Sequence, residues 1–175
     1  TYITPVLGGV LGDRFLGTRR TMVMGAISLA IGYACLAASL TSPTLLLLAM
    51  ALISTGNGLF KPNAGNLVRR IYEGDNAALD AAFTLYYMSV NVGSTVSMLL
   101  TPWLQINYGA PVAFATCAVG LGIGLLYYVL RANWLEPTTP AAEKAPVPLS
   151  RFGLVLGGLA VLTVFNAWVL GSDTL

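Results

Sequence analysis

The sequence consists of long apolar runs, most of them about as long as a membrane-spanning helix, separated by short polar turns. A helix needs about 20 predominantly apolar residues to cross the hydrocarbon core of a bilayer. Four runs are complete spans and two are less certain, the complete ones being 21–41, 44–68, 81–104 and 110–131 and the others 1–12 and 152–170. The pattern predicts an all-α membrane protein. Because the run 1–12 looks like the second half of a span, we expect the chain to be a piece of a larger protein.

The composition agrees with this class and disfavours several others. Hydrophobic residues make up 56% of the 175 residues and charged residues only 9%, whereas about 25% is usual in soluble domains. A formal net charge of +2 is too small to indicate a nucleic-acid surface. With no His and two widely separated cysteines, neither a metal site nor a disulfide framework is expected. No nucleophile and base pair or phosphate-binding loop is evident, so the chain is not expected to be an enzyme.

Positive charges fall on alternate loops. The loops after the first, third and fifth runs are basic, whereas the turns near Ser42 and Asn107 carry no charge. By the positive-inside rule the basic loops are cytoplasmic, and they contain Arg14, Arg19, Arg20, Arg69, Arg70, Arg131, Lys144 and Arg151.

The charge pattern and a Pro-rich and Ala-rich stretch also divide the chain. Residues 1–131 are expected to form a helix bundle, and 132–151 a cytoplasmic linker that contains the stretch EPTTPAAEKAPVP. Residues 152–175 are expected to contribute one further membrane helix.

A lysine and a proline stand together inside the third run, in the stretch GNGLFKPNAGN. At ~1.5 Å per residue, Lys61 lies about 12 Å from Arg69, in the inner half of the bilayer. Snorkelling to the cytoplasmic interface is the alternative, but that distance exceeds the comfortable reach of a lysine side chain. We therefore expect Lys61 to face protein or a water-filled cavity, where it can attract a carboxylate and exchange a proton.

The residues around Lys61 are expected to loosen the helix and open access to its backbone. Pro62 removes a backbone N–H and disfavours helical geometry at the residue before it. Gly56, Gly58 and Gly65 allow a neighbouring helix or a ligand to approach closely, although Gly65 by itself is more simply explained by helix packing.

A polar stripe on the next run accompanies the lysine. Tyr87, Asn91 and Ser94 are spaced so that they project from one side of a helix. An Asn in a membrane helix can hold neighbouring helices together or bind a ligand, and both interpretations stay open from the residues alone.

Three stretches together resemble a known family. GGVLGDRFLGTRR, residues 8–20, is similar to the loop between the second and third helices of the major facilitator superfamily. GLFKPN and YYMSVNVGS resemble two signatures of the proton-coupled oligopeptide transporters, most closely the bacterial di- and tripeptide permeases. The resemblance covers nearly the whole chain and implies part of the N-terminal six-helix bundle of a twelve-helix transporter.

The resemblance also implies roles for particular residues. Lys61 matches a lysine implicated in peptide binding and proton coupling, and Asn91 and Tyr87 match residues that contact the peptide. Tyr2 matches a pocket tyrosine. The cytoplasmic conformational latch would comprise Asp13, Arg14, Gly17, Arg19 and Arg20.

The implied activity is proton-coupled symport of di- and tripeptides by alternating access in a cell membrane, with the proton gradient as the energy source and no cofactor. The partners would be the peptide, protons, the lipid bilayer, and a first helix and second bundle of the same chain, without which the piece is expected to be inactive. Residues 152–170 would be an inserted helix, with a seventh core helix as the alternative. A transporter of a non-peptide solute and a non-transporting sensor or scaffold remain as alternatives.

Overall fold

A computed structural model gives the structure of the chain and describes residues 9, 17–39, 42–132, 157, 158, 160, 161, 163 and 164. Four helices run through these residues: α1 Thr18–Ala38, α2 Pro43–Ile71, α3 Asn76–Tyr108 and α4 Ala110–Leu130. They confirm the four complete runs as helices, with boundaries that differ by up to five residues. The predictions for 1–12, 132–151 and 152–170 lie largely outside the described residues.

Short polar or glycine turns begin the helices. Gly17, before α1, and Gly109, between α3 and α4, have φ angles of 88° and 89°, a region that residues with a Cβ rarely adopt. The side chain of Ser42 accepts a hydrogen bond from the backbone N–H of Leu45 at 3.4 Å at the start of α2. Asp75 Oδ1 accepts one from Ala78 at 3.0 Å at the start of α3. These caps satisfy N–H groups that have no partner within the helix.

The tightest packing lies between α1 and α2. A Cβ added to Gly25 would lie 2.7 Å from the backbone nitrogen of Phe60, and one added to Gly56 would lie 2.9 Å from that of Leu29. Ser28 Oγ also donates to the carbonyl of Leu52 at 3.0 Å across this contact. Small residues therefore allow the two backbones to approach, as is common between membrane helices, which agrees with the expectation for Gly56.

Helix α2 continues through Pro62 without a break, and Lys61 itself is helical. The expected loosening of the helix is therefore wrong for the backbone. Packing on α1 outweighs the local preference, and the side chain of Asn63 adds a bond by donating from Nδ2 to the carbonyl of Leu59 at 2.7 Å. The expectation that Gly65 serves packing is also not met among the described residues, since a Cβ there would meet no atom within 4 Å.

Three of the four helices, α1, α2 and α4, are long and apolar enough to cross a membrane. Helix α3 has 33 residues and a length of about 50 Å, but serines, threonines and Asn91 make it more polar. Its direction follows from its neighbours. Arg19, at the start of α1, reaches Tyr128 and Ala132 at the end of α4, so α3 must carry the chain from the end of α2 back to the opposite side.

The buried core of the described residues is the seam between α1 and α2. The buried apolar side chains belong mainly to these two helices, for example Met22, Leu29 and Leu59. Helix α3 contributes no buried residue and α4 contributes Ala113. The large apolar side chains of α3 and α4 are mostly exposed in the chain as described, as expected for helices whose remaining faces contact lipid or other helices.

Candidate functional site

All four helices line one groove with a volume of about 1090 Å³. Most of its wall is apolar, with contributions such as Phe60 from α2 and Leu121 from α4. A small number of polar or ionisable side chains in an apolar wall is the usual character of a ligand site. Those lining this groove are Tyr33, Asn57, Lys61, Tyr86, Ser94, Ser97, Cys117 and Tyr128.

Lys61 lies on the α2 wall of the groove. Its side chain is exposed, whereas Asn63 and Ala64 beyond it are buried. Asn57, one helical turn before Lys61, lines the same wall, because residues four apart in a helix share a face. The α2 wall therefore presents an ammonium group and an amide to a mainly apolar space.

The α3 wall of the groove carries Tyr86 and Ser94. Tyr87 and Asn91 are exposed but are not among the groove-lining residues; a rotation of about 100° per residue places them on the neighbouring face. Tyr87 is 60% exposed. It stacks on Phe83 with ring centroids 6.2 Å apart and meets Tyr86 edge-on at 5.6 Å.

The structure thus brings Lys61 and Ser94 to one groove and leaves Tyr87 and Asn91 beside it. The hydroxyls of Ser94 and Thr95 each donate to the backbone carbonyl of Asn91 at 2.9 Å, which engages their protons within the helix. The exposed amide of Asn91 is then the polar group of that face best suited to a ligand, because it both donates and accepts. Its role in binding stays a prediction, as do those of Lys61 and Tyr87.

The proposed latch is described only in part. Gly17 lies immediately before α1 and has a φ of 88°. Arg19 and Arg20 follow it at the start of α1, both half-buried. Tyr2, Asp13 and Arg14 lie outside the described residues, so the pocket tyrosine and the latch stay predictions.

Several groove residues were not singled out from the sequence, and Asn57 and Tyr86 are two of them. Asn57 is found by counting one turn back from Lys61, and Tyr86 belongs with Val90, Gly93 and Ser97 to one helical stripe. Both signals are present in the spacing. The spacing does not show which of two adjacent stripes on α3 faces α2, because the stripe containing Tyr86 and the stripe containing Tyr87 both carry polar residues.

Curated relatives of the chain are peptide permeases. "Dipeptide and tripeptide permease A" of Proteus mirabilis (strain HI4320) is 46% identical over 167 residues, which are 95% of this chain and 34% of the relative. The protein of the same name from Escherichia coli (strain K12) is 42% identical over 172 residues, or 98% of this chain and 34% of the relative. The chain therefore spans about a third of the length of these relatives.

Solved structures also match this chain over nearly its whole length. Tetrameric PepTSo2 matches with a TM-score of 0.90 and 43% identity, covering 99% of this chain and 38% of the solved one. A bacterial homologue of the human drug peptide transporters PepT1 and PepT2 matches with a TM-score of 0.89 and 44% identity, covering 97% and 38%.

The fold of part of an N-terminal major facilitator bundle is thereby confirmed. The relatives are membrane transporters rather than enzymes. The family model described as the POT family matches residues 19–162, and the chain therefore belongs to the POT family of integral membrane transporters.

Proposed function

We propose that this chain is part of a proton-coupled symporter that carries di- and tripeptides across the membrane by alternating access. The observation that carries the proposal is Lys61, an ammonium group in the inner half of a membrane helix that lines an otherwise mainly apolar groove. An ionisable residue at such a depth is costly and is usually functional. Relatives named dipeptide and tripeptide permeases at 41–46% identity supply the cargo class.

The charges and amides of a peptide fit the groups that the chain offers. The Lys61 ammonium would pair with the peptide carboxylate, and this attraction is stronger where apolar walls such as Phe60 and Leu121 keep the local dielectric low. The Asn91 amide and the Tyr87 hydroxyl, on the neighbouring exposed face of α3, would hydrogen-bond the peptide backbone. An amide both donates and accepts, as a peptide group requires.

Lys61 would also couple binding to the proton gradient. A lysine can lose its proton in a low-dielectric site, whereas an arginine does not. The Lys61 side-chain nitrogen would hold both the peptide carboxylate and the proton. Release of the carboxylate and release of the proton on one side of the membrane would therefore be linked. The energy source is the proton gradient, and no cofactor is part of the proposal.

The orientation follows from charge. The ends of α2 and α4 and the start of α1 carry Arg19, Arg20, Arg69, Arg70 and Arg131, and by the positive-inside rule this end faces the cytoplasm, as does the loop with Arg14 and the linker with Lys144. Because the chain spans about a third of its relatives, transport is proposed for a longer protein whose first helix and second bundle complete the pathway.

Substitution of Lys61 in the full-length protein tests this proposal. In proteoliposomes, Lys61→Ala should abolish uptake of a labelled dipeptide driven by a proton gradient, because both the cation and the exchangeable proton are lost. Lys61→Arg keeps the charge but does not release a proton at accessible pH. It should retain peptide exchange between the two sides while losing gradient-driven accumulation. Full accumulation with Lys61→Ala would refute the assigned role.

A non-peptide solute is the second candidate cargo. A POT family transporter that matches this chain with a TM-score of 0.72 and 29% identity was solved in complex with 5-aminolevulinic acid. That molecule has an amine and a carboxylate, so the Lys61 ammonium suits it as well. Competition against labelled dipeptide uptake decides between the two: unlabelled dipeptides should inhibit at lower concentrations than 5-aminolevulinic acid, and the reverse order would favour the second cargo.

A further inference from the structure

Arg19 joins the start of α1 to the end of α4. Arg19 Nε donates to the hydroxyl of Tyr128 at 3.2 Å, and Arg19 Nη2 donates to the backbone carbonyl of Ala132 at 3.0 Å. These partners lie 109 and 113 residues further along the chain. The contact therefore joins two helices that are distant in sequence at the end of the bundle that carries the arginines.

The position of the contact suits a cation. The last carbonyls of a helix lack partners within it, and the helix dipole favours positive charge at that end. The backbone N–H of Arg131 caps α4 by donating to the carbonyls of Tyr127 and Val129, and the Ala132 carbonyl just beyond accepts from Arg19. The Arg131 guanidinium itself lies 5.9 Å from the centroid of the Tyr127 ring.

The contact also needs the shape of a guanidinium. Nε and Nη2 form one edge of that planar group, and here they reach two different acceptors at once. A lysine ammonium is a single point of charge on a flexible stem and does not present two donors in a fixed fork. An arginine that only marked the cytoplasmic side could be replaced by lysine without loss, since the positive-inside rule counts both.

We propose that Arg19 is a positioning residue of the transport cycle, which fastens α4 to α1 so that the two helices move as one unit. The proposal rests on the proposed transport function. Arg19 itself does not line the four-helix groove, although its partner Tyr128 does through α4, so Arg19 would touch no substrate and would act on the rate of the conformational change. These hydrogen bonds lie within one bundle, so this role of Arg19 is separate from the latch between two bundles in which the resemblance places the same residue.

A double-mutant cycle in the full-length protein tests the proposal. Arg19→Lys, Tyr128→Phe and the double variant are compared with the wild type by thermal unfolding in detergent. Arg69→Lys is the matched control, since Arg69 is an exposed arginine at the same end of the bundle. Arg19→Lys should lower the melting temperature, the double variant should lower it no further, and Arg69→Lys should leave it unchanged. The proposal would be overturned if Arg19→Lys and the wild type had equal melting temperatures, or if the decreases caused by the two single substitutions added up in the double variant.

Uptake kinetics of the same variants supply the functional part of the test. Below the melting temperature, Arg19→Lys should lower the maximal rate of dipeptide uptake by about two- to tenfold and leave KM unchanged. A wild-type rate, or a change confined to KM, would contradict a positioning role. If the wild type carries no dipeptide, the proposed function fails, whereas the unfolding cycle still decides whether Arg19 fastens the two helices.

Discussion

At the scale of single residues, two glycines determine how closely α1 and α2 approach. The carbonyl of Gly56 lies 3.0 Å from the place of a Cβ on Gly25, and the carbonyl of Gly25 lies 3.0 Å from that of a Cβ on Gly56. Backbone atoms form part of the obstruction in both cases, and they cannot move aside as a flexible side chain can. Each glycine therefore depends on the other for the contact between the helices.

Replacing Gly56 by valine should separate α1 from α2 and destabilise the full-length protein. Overpacking costs about 1–3 kcal/mol in well-packed cores, and a clash with backbone belongs at the upper end. Thermal unfolding measures the loss. The control is Gly65→Ala, because a Cβ at Gly65 meets no described atom within 4 Å and alanine favours the helix by about 0.5–1 kcal/mol. Equal melting temperatures for Gly56→Val and wild type would contradict the packing described.

In the candidate site, residue type alone identifies some of the groove residues but not others. Lys61 is identifiable from the sequence because a charge inside an apolar run is rare and its depth follows from counting residues. Which α3 residues share its groove is not identifiable in that way. Ser94 lines the groove whereas Tyr87 and Asn91 do not, because helix rotation is set by packing against α2 and α4 rather than by the stripe itself.

At the scale of elements, nearby residues in the sequence determine where a helix begins. Asp75 accepts a hydrogen bond from Ala78 at the start of α3, and Gly74 before it has a φ of 97°. A carboxylate at this position also interacts favourably with the positive end of the helix dipole. Both residues are readable in the sequence as a turn followed by an N-cap.

Removing the α3 cap should weaken the start of that helix without affecting the groove. Asp75→Ala is expected to cost about 0.5–2 kcal/mol, and Asp75→Asn, which keeps an accepting oxygen, much less. Chemical or thermal unfolding of the two variants measures the difference. Equal losses in both would show that the charge of Asp75, and not its hydrogen bond, carries the stabilisation.

Helix α2 shows where local rules fail. Pro62 predicts a disturbed helix at Lys61, yet the helix is continuous from Pro43 to Ile71. Two contacts of the element outweigh the preference: the close approach to α1 on one side and the bond from Asn63 to the Leu59 carbonyl. The N–H that Pro62 lacks would have bonded the Gly58 carbonyl, so the Asn63 bond adds to the helix and does not restore the one that is lost.

At the scale of the whole molecule, the arginines within the described helices and turns lie at one end of the bundle. The ends of α2 and α4 and the start of α1 carry them, whereas the turns before α2 and after α3 have none. This segregation predicts that the loop containing Glu73 is cytoplasmic and that Asn107 faces the opposite side.

Accessibility to a membrane-impermeant thiol reagent tests this orientation. Single cysteines are introduced as Glu73→Cys and Asn107→Cys, both at exposed positions, in a full-length background without Cys35 and Cys117. In intact cells the reagent should label the cysteine at 107 and reach the one at 73 only after the membrane is opened. Labelling at 73 in intact cells would reverse the orientation.

The sequence by itself determines the class of the molecule, the number and approximate bounds of the four described helices, and the position of Lys61 inside an apolar helix. These properties depend on hydropathy, charge and helical rise, which are local or additive along the chain. The tertiary structure alone decides which stripe of α3 borders the groove, that α2 stays continuous at Pro62, and that Arg19 reaches α4 across 109 residues. Those properties depend on how helices rotate and approach one another, and close packing between distant segments sets both.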